Sequence, residues 1–218
     1  MRRLLLFLIL LCAAVPSTAA AATPMLGKSN ATAAGAAEWA RERGATPTFV
    51  RLAKIYWRLA PKRGVRPEVA YAQAAKETNF GRFTGVLDAS FHNPCGLKVR
   101  AGGGNYDPGA HKRFPSWRAG IAAHLDHMAL YAGAKGYPRR ATPDPRHFPF
   151  LRGSARSVER LGGKWAPSAS YGRDLVQLVR TLVARSPSPP KRRPAPPVLA
   201  PSPPPVPLGF LRARGTSV

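Results

Sequence analysis

Ten Asp and Glu residues are all the side-chain carboxyl groups in this 218-residue chain, so each can be weighed as a source of acid–base chemistry. Glu38 and Glu42 precede the first stretch with a clear helical period. Glu68 follows Pro67, where a carboxylate complements the positive end of a helix. Glu77 differs. Ala70, Gln73 and Ala74 lie on its own helical stripe at i−7, i−4 and i−3. Small residues there let another element approach closely, and Phe80 adds an apolar wall. A carboxyl at the end of such a stripe is partly desolvated, which raises its pKa as a general acid near neutral pH requires. The same spacing also fits an ordinary solvated glutamate, because helical glutamates are usually exposed.

Other chemistries have weaker signals. His124 and His127 share a helix face at i, i+3 beside Asp126, and His111 follows Asp107 by four. Those residues could make a zinc set of the kind metallopeptidases and zinc amidases use. There is no H-E-x-x-H, however, and a helix carrying two partly buried histidines is the commoner explanation of the pattern. No metal and no cofactor are therefore expected. Cys95 sits in the turn-like Asn93-Pro94-Cys95-Gly96-Leu97 and reads as structural, since a reactive thiol needs an activating environment. G-x-S-x-G and Gly-rich phosphate loops are absent from the sequence.

The elements that must position Glu77 follow from periodicity. Phe49, Leu52, Ala53, Tyr56, Trp57 and Ala60 predict a helix from Pro47 to the stop at Pro61-Lys62-Arg63-Gly64. A second helix runs from Pro67 to about Asn79, with Gly81 as its left-handed cap. Residues 82–114 lack a helical period and are dense in Gly, Pro, Asn and Asp. A loop of that length in a folded domain is usually functional. Ser116 caps a third helix carrying Ile121, Leu125 and Met128. A short helix near 154–161 and a last one over 171–184 complete the domain.

Ordered motifs along this span resemble the bacterial β-N-acetylglucosaminidases of glycoside hydrolase family 73. Ala72-Gln73-Ala74-Ala75-Lys76-Glu77-Thr78-Asn79-Phe80-Gly81 is similar to the family signature A-Q-A-x-x-E-[ST]-x-[WYF]-G. Asn93-Pro94-Cys95-Gly96-Leu97-Lys98 resembles N-x-F-G-I-K, and Phe114 to Ile121 resembles F-x-S-x-x-x-[SG]-[IV]. Trp165-Ala166-Pro167-Ser168-Ala169-Ser170-Tyr171 stands where the family has Y-A-T-D-x-x-Y, so Trp165 replaces its first tyrosine. The resemblance implies a mainly α, lysozyme-like domain with a small irregular or β lobe. It also implies cleavage of the β-1,4 bond after N-acetylglucosamine in peptidoglycan, with Glu77 as general acid. Gln73, Phe80, Asn93, Trp165 and Tyr171 become the expected substrate-binding residues. A second catalytic group is needed, whether a carboxylate or the acetamido group of the substrate. Asp107 is the first candidate, although an Asp before Pro108 equally suits a turn; Asp88 is held in reserve. Trp117 and Tyr106 could stack on sugar rings or simply pack.

Composition then sets the surroundings. Arg2-Arg3, the apolar run from Leu4 to Leu11 and the small residues Ala19 to Ala22 have the layout of a signal peptide over 1–22. Residues 23–45 read as an Ala-rich linker, 46–185 as the glucosaminidase domain, and 186–218 as a disordered, basic, Pro-rich tail. The tail has five Lys or Arg and no acid, and the formal net charge of +24 calls for a polyanionic partner. Export makes nucleic acid an improbable one, so the expected partners are peptidoglycan strands and anionic wall polymers. A secreted, wall-associated monomer without a membrane span after cleavage is the overall expectation. Its rivals are a zinc-dependent amidase or peptidase and a non-catalytic glycan-binding module.

Overall fold

The computed structural model describes residues 21–185. The expected signal peptide lies almost entirely, and the tail wholly, outside the described residues. Within them the fold is mainly α, with helices α1 (Ala33–Arg41), α2 (Pro47–Leu59), α3 (Pro67–Glu77), α4 (Trp117–Ala132) and α5 (Tyr171–Arg185). None of these is long and apolar enough to cross a membrane.

Local chemistry sets the helix ends. Thr46 accepts from Phe49 N–H at the start of α2, and Pro47 occupies the first helical position. Ser116 does the same for α4 through Ala119 N–H, and Gly133 ends that helix in the left-handed conformation. α2 is amphipathic, burying Phe49, Leu52, Ala53, Tyr56 and Leu59. α3 is different: every residue from Pro67 to Ala75 is buried, so it forms the axis around which α2, α4 and α5 pack. Its alanines permit that close approach from several sides.

The linker expected over 23–45 is instead part of the fold. Thr32 caps α1, which packs against α2 and α5, and Trp39 is fully buried with its indole N–H on Thr181 Oγ1 (3.0 Å). Alanine is the best helix former, and Ala36 and Ala40 leave room for α1 to seat its one large side chain. Upstream of α1, Met25 is fully buried and its carbonyl accepts from Arg66 N–H at 2.9 Å. Glu68 does more than meet a helix dipole. Wholly buried, it takes the Arg66 guanidinium at 2.8 Å and also accepts from Ser29 Oγ and Asn30 N–H.

The stretch expected as a helix near 154–161 is helical only as a 3-10 turn, Val158–Leu161. Glycines at 153, 162 and 163 leave too few residues to nucleate an α-helix. The 82–114 lobe is irregular as expected. It carries one antiparallel bridge, Lys98 with His111, and its Cys95, Leu97 and Phe114 share a small core with Ala123 of α4. It rests directly on α4, where a Cβ at Gly120 would lie 1.8 Å from the His92 carbonyl oxygen.

Candidate active site

Glu77 is the last residue of α3 and opens into a cleft of about 160 Å³, walled by residues 83–87 and by Asn93, Gly96, Asn105 and His111 of the lobe. The backbone at this point leaves the helix abruptly. Thr78 Oγ1 donates to the Ala74 carbonyl at 2.7 Å and accepts from Gly81 N–H at 2.9 Å. Asn79, Phe80 and Gly81 follow in succession with positive φ. Gly81 is required twice over, because a Cβ there would also lie 2.5 Å from Thr46 Oγ1. This reversal keeps Glu77 at a helix end while α3 stays buried.

On the opposite wall Tyr171, the first residue of α5, donates its hydroxyl to Glu77 Oε1. Glu77 is an exposed residue at the cleft mouth, although neighbouring protein still desolvates part of its carboxylate. That desolvation pushes the Glu77 pKa up; hydrogen bonds from Tyr171 and Trp165, and then the Lys76 charge, oppose the rise. Lys76 lies over the Tyr171 ring at 5.4 Å and is held by Asp174 at 3.2 Å.

Behind Tyr171 runs a buried series of hydrogen bonds. Gln73 Nε2 donates to the Tyr171 hydroxyl at 2.9 Å, Gln73 Oε1 meets His124 Nε2 at 3.1 Å, and His124 Nδ1 meets the Tyr56 hydroxyl at 2.8 Å. Gln73 and His124 are fully buried. Burial lowers the His124 pKa to about 3, so the ring is neutral. Gln73, expected against the substrate, therefore stands behind the cleft instead of in it.

The other expected site residues divide. Trp165 is half-buried against His124, His127 and Tyr131 and reaches Glu77. Asn93 lines the cleft, but its buried amide is spent on the lobe, donating to the Leu97 and Lys112 carbonyls and accepting from Leu97 N–H. Phe80 faces away from the cleft, 5.3 Å from Trp39 and 6.2 Å from Phe49, because the left-handed turn carries its ring to the α1–α2 side. Asp107 does not line the cleft. It caps the 3-10 turn Pro108–Ala110 through Gly109 N–H at 2.8 Å, while its carbonyl meets His111 Nδ1 at 2.9 Å. Asp88 is likewise a turn cap, exposed and bound to Ser90, which lowers its pKa.

Sequence reading missed Phe83, Asn105 and His111 on the cleft wall. Phe83 also lines a neighbouring apolar hollow with Trp117, Leu52 and Ala89, its ring 6.4 Å from the Trp117 ring. The two hollows share Thr78 and Phe83 and so adjoin. Tyr106 is 92% exposed on the lobe, away from both. Cys95 is buried and its thiol pKa is raised by burial and by the Glu77 charge, so it stays protonated. His127 pairs with Asp144 at 2.7 Å, and Asp126 holds Arg63 at 2.7 Å. Among the described residues no group of three or more His, Cys, Asp or Glu is placed to hold a metal ion. A roomier cavity of about 650 Å³ lies elsewhere, lined by Lys28, Lys62, Arg63, Lys135 and Arg139. It has no carboxyl on its walls, whereas Glu77 lines the smaller cleft.

The family model described as mannosyl-glycoprotein endo-β-N-acetylglucosaminidase matches residues 53–183. An uncharacterized protein of Borreliella burgdorferi is 30% identical over 132 residues, which cover 61% of this chain and 62% of that protein. The match thus spans less than two thirds of that relative's length. Among solved structures, the catalytic domain of the autolysin Auto from Listeria monocytogenes is 20% identical, with a TM-score of 0.41 over 68% of this chain and 97% of that one.

Proposed function

We infer function from kinship and geometry together: the chain belongs to the mannosyl-glycoprotein endo-β-N-acetylglucosaminidase family, and its cleft is fitted to glycoside hydrolysis with Glu77 as the general acid. One observation carries this reading. Glu77 is the carboxyl of the cleft lining, raised in pKa by its walls and held at Oε1 by Tyr171. In its acid form it gives a proton to the glycosidic oxygen as the bond to C1 breaks. No second carboxyl lines the described cleft. The acetamido oxygen of the substrate's own N-acetylglucosamine therefore supplies the internal nucleophile. Glu77, now a carboxylate, takes a proton from the water that opens the resulting ring. Asp107 lies off the cleft lining and caps a turn through Gly109 N–H.

Charge favours peptidoglycan over a neutral glycan. The described residues contain 27 Lys or Arg against all 10 acids, a surface drawn to an anionic wall. Phe83 and Trp117 extend the cleft into an apolar floor suited to successive sugar rings. With residues 1–22 acting as a signal peptide, the enzyme would work outside the membrane, held to the wall by its basic surface and tail.

Reducing-end analysis of digested peptidoglycan tests the reaction class. New N-acetylglucosamine ends are expected, unaffected by chelator. Freed amino groups lost on chelation would mean an amidase or peptidase, and retention on walls with no new ends would mean a binding module.

A further inference from the structure

We propose that His124 is a positioning residue of the active site, acting through a one-way hydrogen-bond relay from Tyr56 through Gln73 and Tyr171 to Glu77. This deepens the glycosidase reading and rests on Glu77 being the acid.

Donor and acceptor accounting fixes the direction of the relay. Buried at its far end, the Tyr56 hydroxyl has His124 Nδ1 as its sole hydrogen-bond partner among the described residues. Its proton must therefore point at Nδ1, since turning it elsewhere would bury an unmet donor. His124 is neutral, so with Nδ1 accepting, the ring proton resides on Nε2 and is donated to Gln73 Oε1. Gln73 then has only its amide N–H to offer Tyr171, and the Tyr171 hydroxyl proton is directed to Glu77 Oε1. Oε1 is an acceptor in every protonation state, which leaves Oε2 to carry the catalytic proton.

A reversed relay is the alternative to be suppressed. In it Glu77 would protonate Oε1 and donate to Tyr171, trapping the acid proton inside the protein instead of presenting it to the glycosidic oxygen. The Tyr56 hydroxyl, four hydrogen bonds away, is what forbids this. Other groups facing Glu77 are Lys76 on its own helix, Trp165, and Cys95 and His111 from the lobe; Asp174 of α5 holds Lys76. None of these donates to or accepts from a relay member between Tyr56 and Tyr171.

Tyr56→Phe tests the relay by removing one buried hydroxyl. The variant frees His124 to take the Nδ1–H tautomer, so the reversed relay becomes populated and Glu77 loses its directed donor. The basic limb of the kcat/KM profile, which reports loss of the acid proton, should move to higher pH, with kcat about tenfold lower. In a Tyr171→Phe background the same change should no longer move the limb. An unmoved limb in folded Tyr56→Phe would overturn the relay and leave Tyr56 a packing residue.

A second measurement needs no variant. Imidazole ¹⁵N shifts of the wild-type protein should report His124 as a neutral Nε2–H ring between pH 4 and 8, within the range where burial keeps it neutral. An Nδ1–H ring would contradict the assignment. Activity retained by Glu77→Gln would sink the underlying glycosidase reading, whatever the relay does.

Discussion

The Tyr171 hydroxyl, on the first residue of α5, donates to Oε1 of Glu77, the last residue of α3. Two helix ends thus meet at one carboxylate, and residues 94 apart in sequence set its ionisation together. Desolvation raises the Glu77 pKa, while the Tyr171 proton holds part of that rise back. Tyr171→Phe removes the opposing influence, so the basic limb of the pH–rate profile should shift to higher pH. Turnover should fall about ten- to a hundredfold, matching the roughly 1.5–3 kcal/mol of a hydrogen bond to a charged group. A limb moving to lower pH would mean that Tyr171 does not stabilise the carboxylate.

Trp39 reports whether α1 belongs to the domain. Its ring is fully buried against Tyr71 and Phe80, with its indole N–H on Thr181 of α5. Trp39→Ala should cost about 3–5 kcal/mol in denaturant unfolding, as large-to-small core changes do. A change below about 0.5 kcal/mol, typical of exposed sites, would restore the linker reading.

Gly120 holds the lobe against α4. On helix propensity alone, alanine would stabilise α4 by up to about 1 kcal/mol. Here its methyl would strike the His92 carbonyl, so Gly120→Ala should instead destabilise by about 1–3 kcal/mol. Because His92 belongs to the lobe beside the cleft, activity should fall, and residues 82–114 should become more sensitive to limited proteolysis.

His124 also makes stability depend on pH. Its pKa falls from 6.5 to about 3 on folding, so the unfolded chain binds more protons between those values. Folding stability is therefore complete above about pH 6.5 and declines as pH falls toward 3, by an amount on the order of a few kcal/mol. His124→Gln removes this titration. Melting temperatures of variant and wild type should converge as the pH is lowered through that window, and a constant gap would show that the ring is not buried neutral.

Much of the body was legible because its signals are local. Pro47, Pro67 and Ser116 mark helix starts, the Tyr56 stripe marks a buried face, and Glu77 stands out at the end of a small-residue stripe. α1 was illegible because an Ala-rich segment with a single tryptophan carries almost no periodicity; only its partners, such as Thr181 at a separation of 142 residues, show that it is core. Gln73 and Asn93 were recognisable as important through the family resemblance, yet their work is to hold Tyr171 and the lobe. Phe80 was misplaced because three successive left-handed residues turn its ring away, which a helical projection cannot foresee. The relay pairs residues 51, 68 and 98 apart, beyond the reach of any sequence periodicity.

The central claim is that the Glu77 proton drives glycosidic cleavage. Its most direct test is the rate of new reducing ends from purified peptidoglycan with wild type and Glu77→Gln, each checked for fold and wall binding. The glutamine variant should bind as wild type does and lose about 10²–10⁴-fold in kcat, the usual contribution of a general acid. Cleavage by Glu77→Gln at a rate near that of wild type would contradict the account.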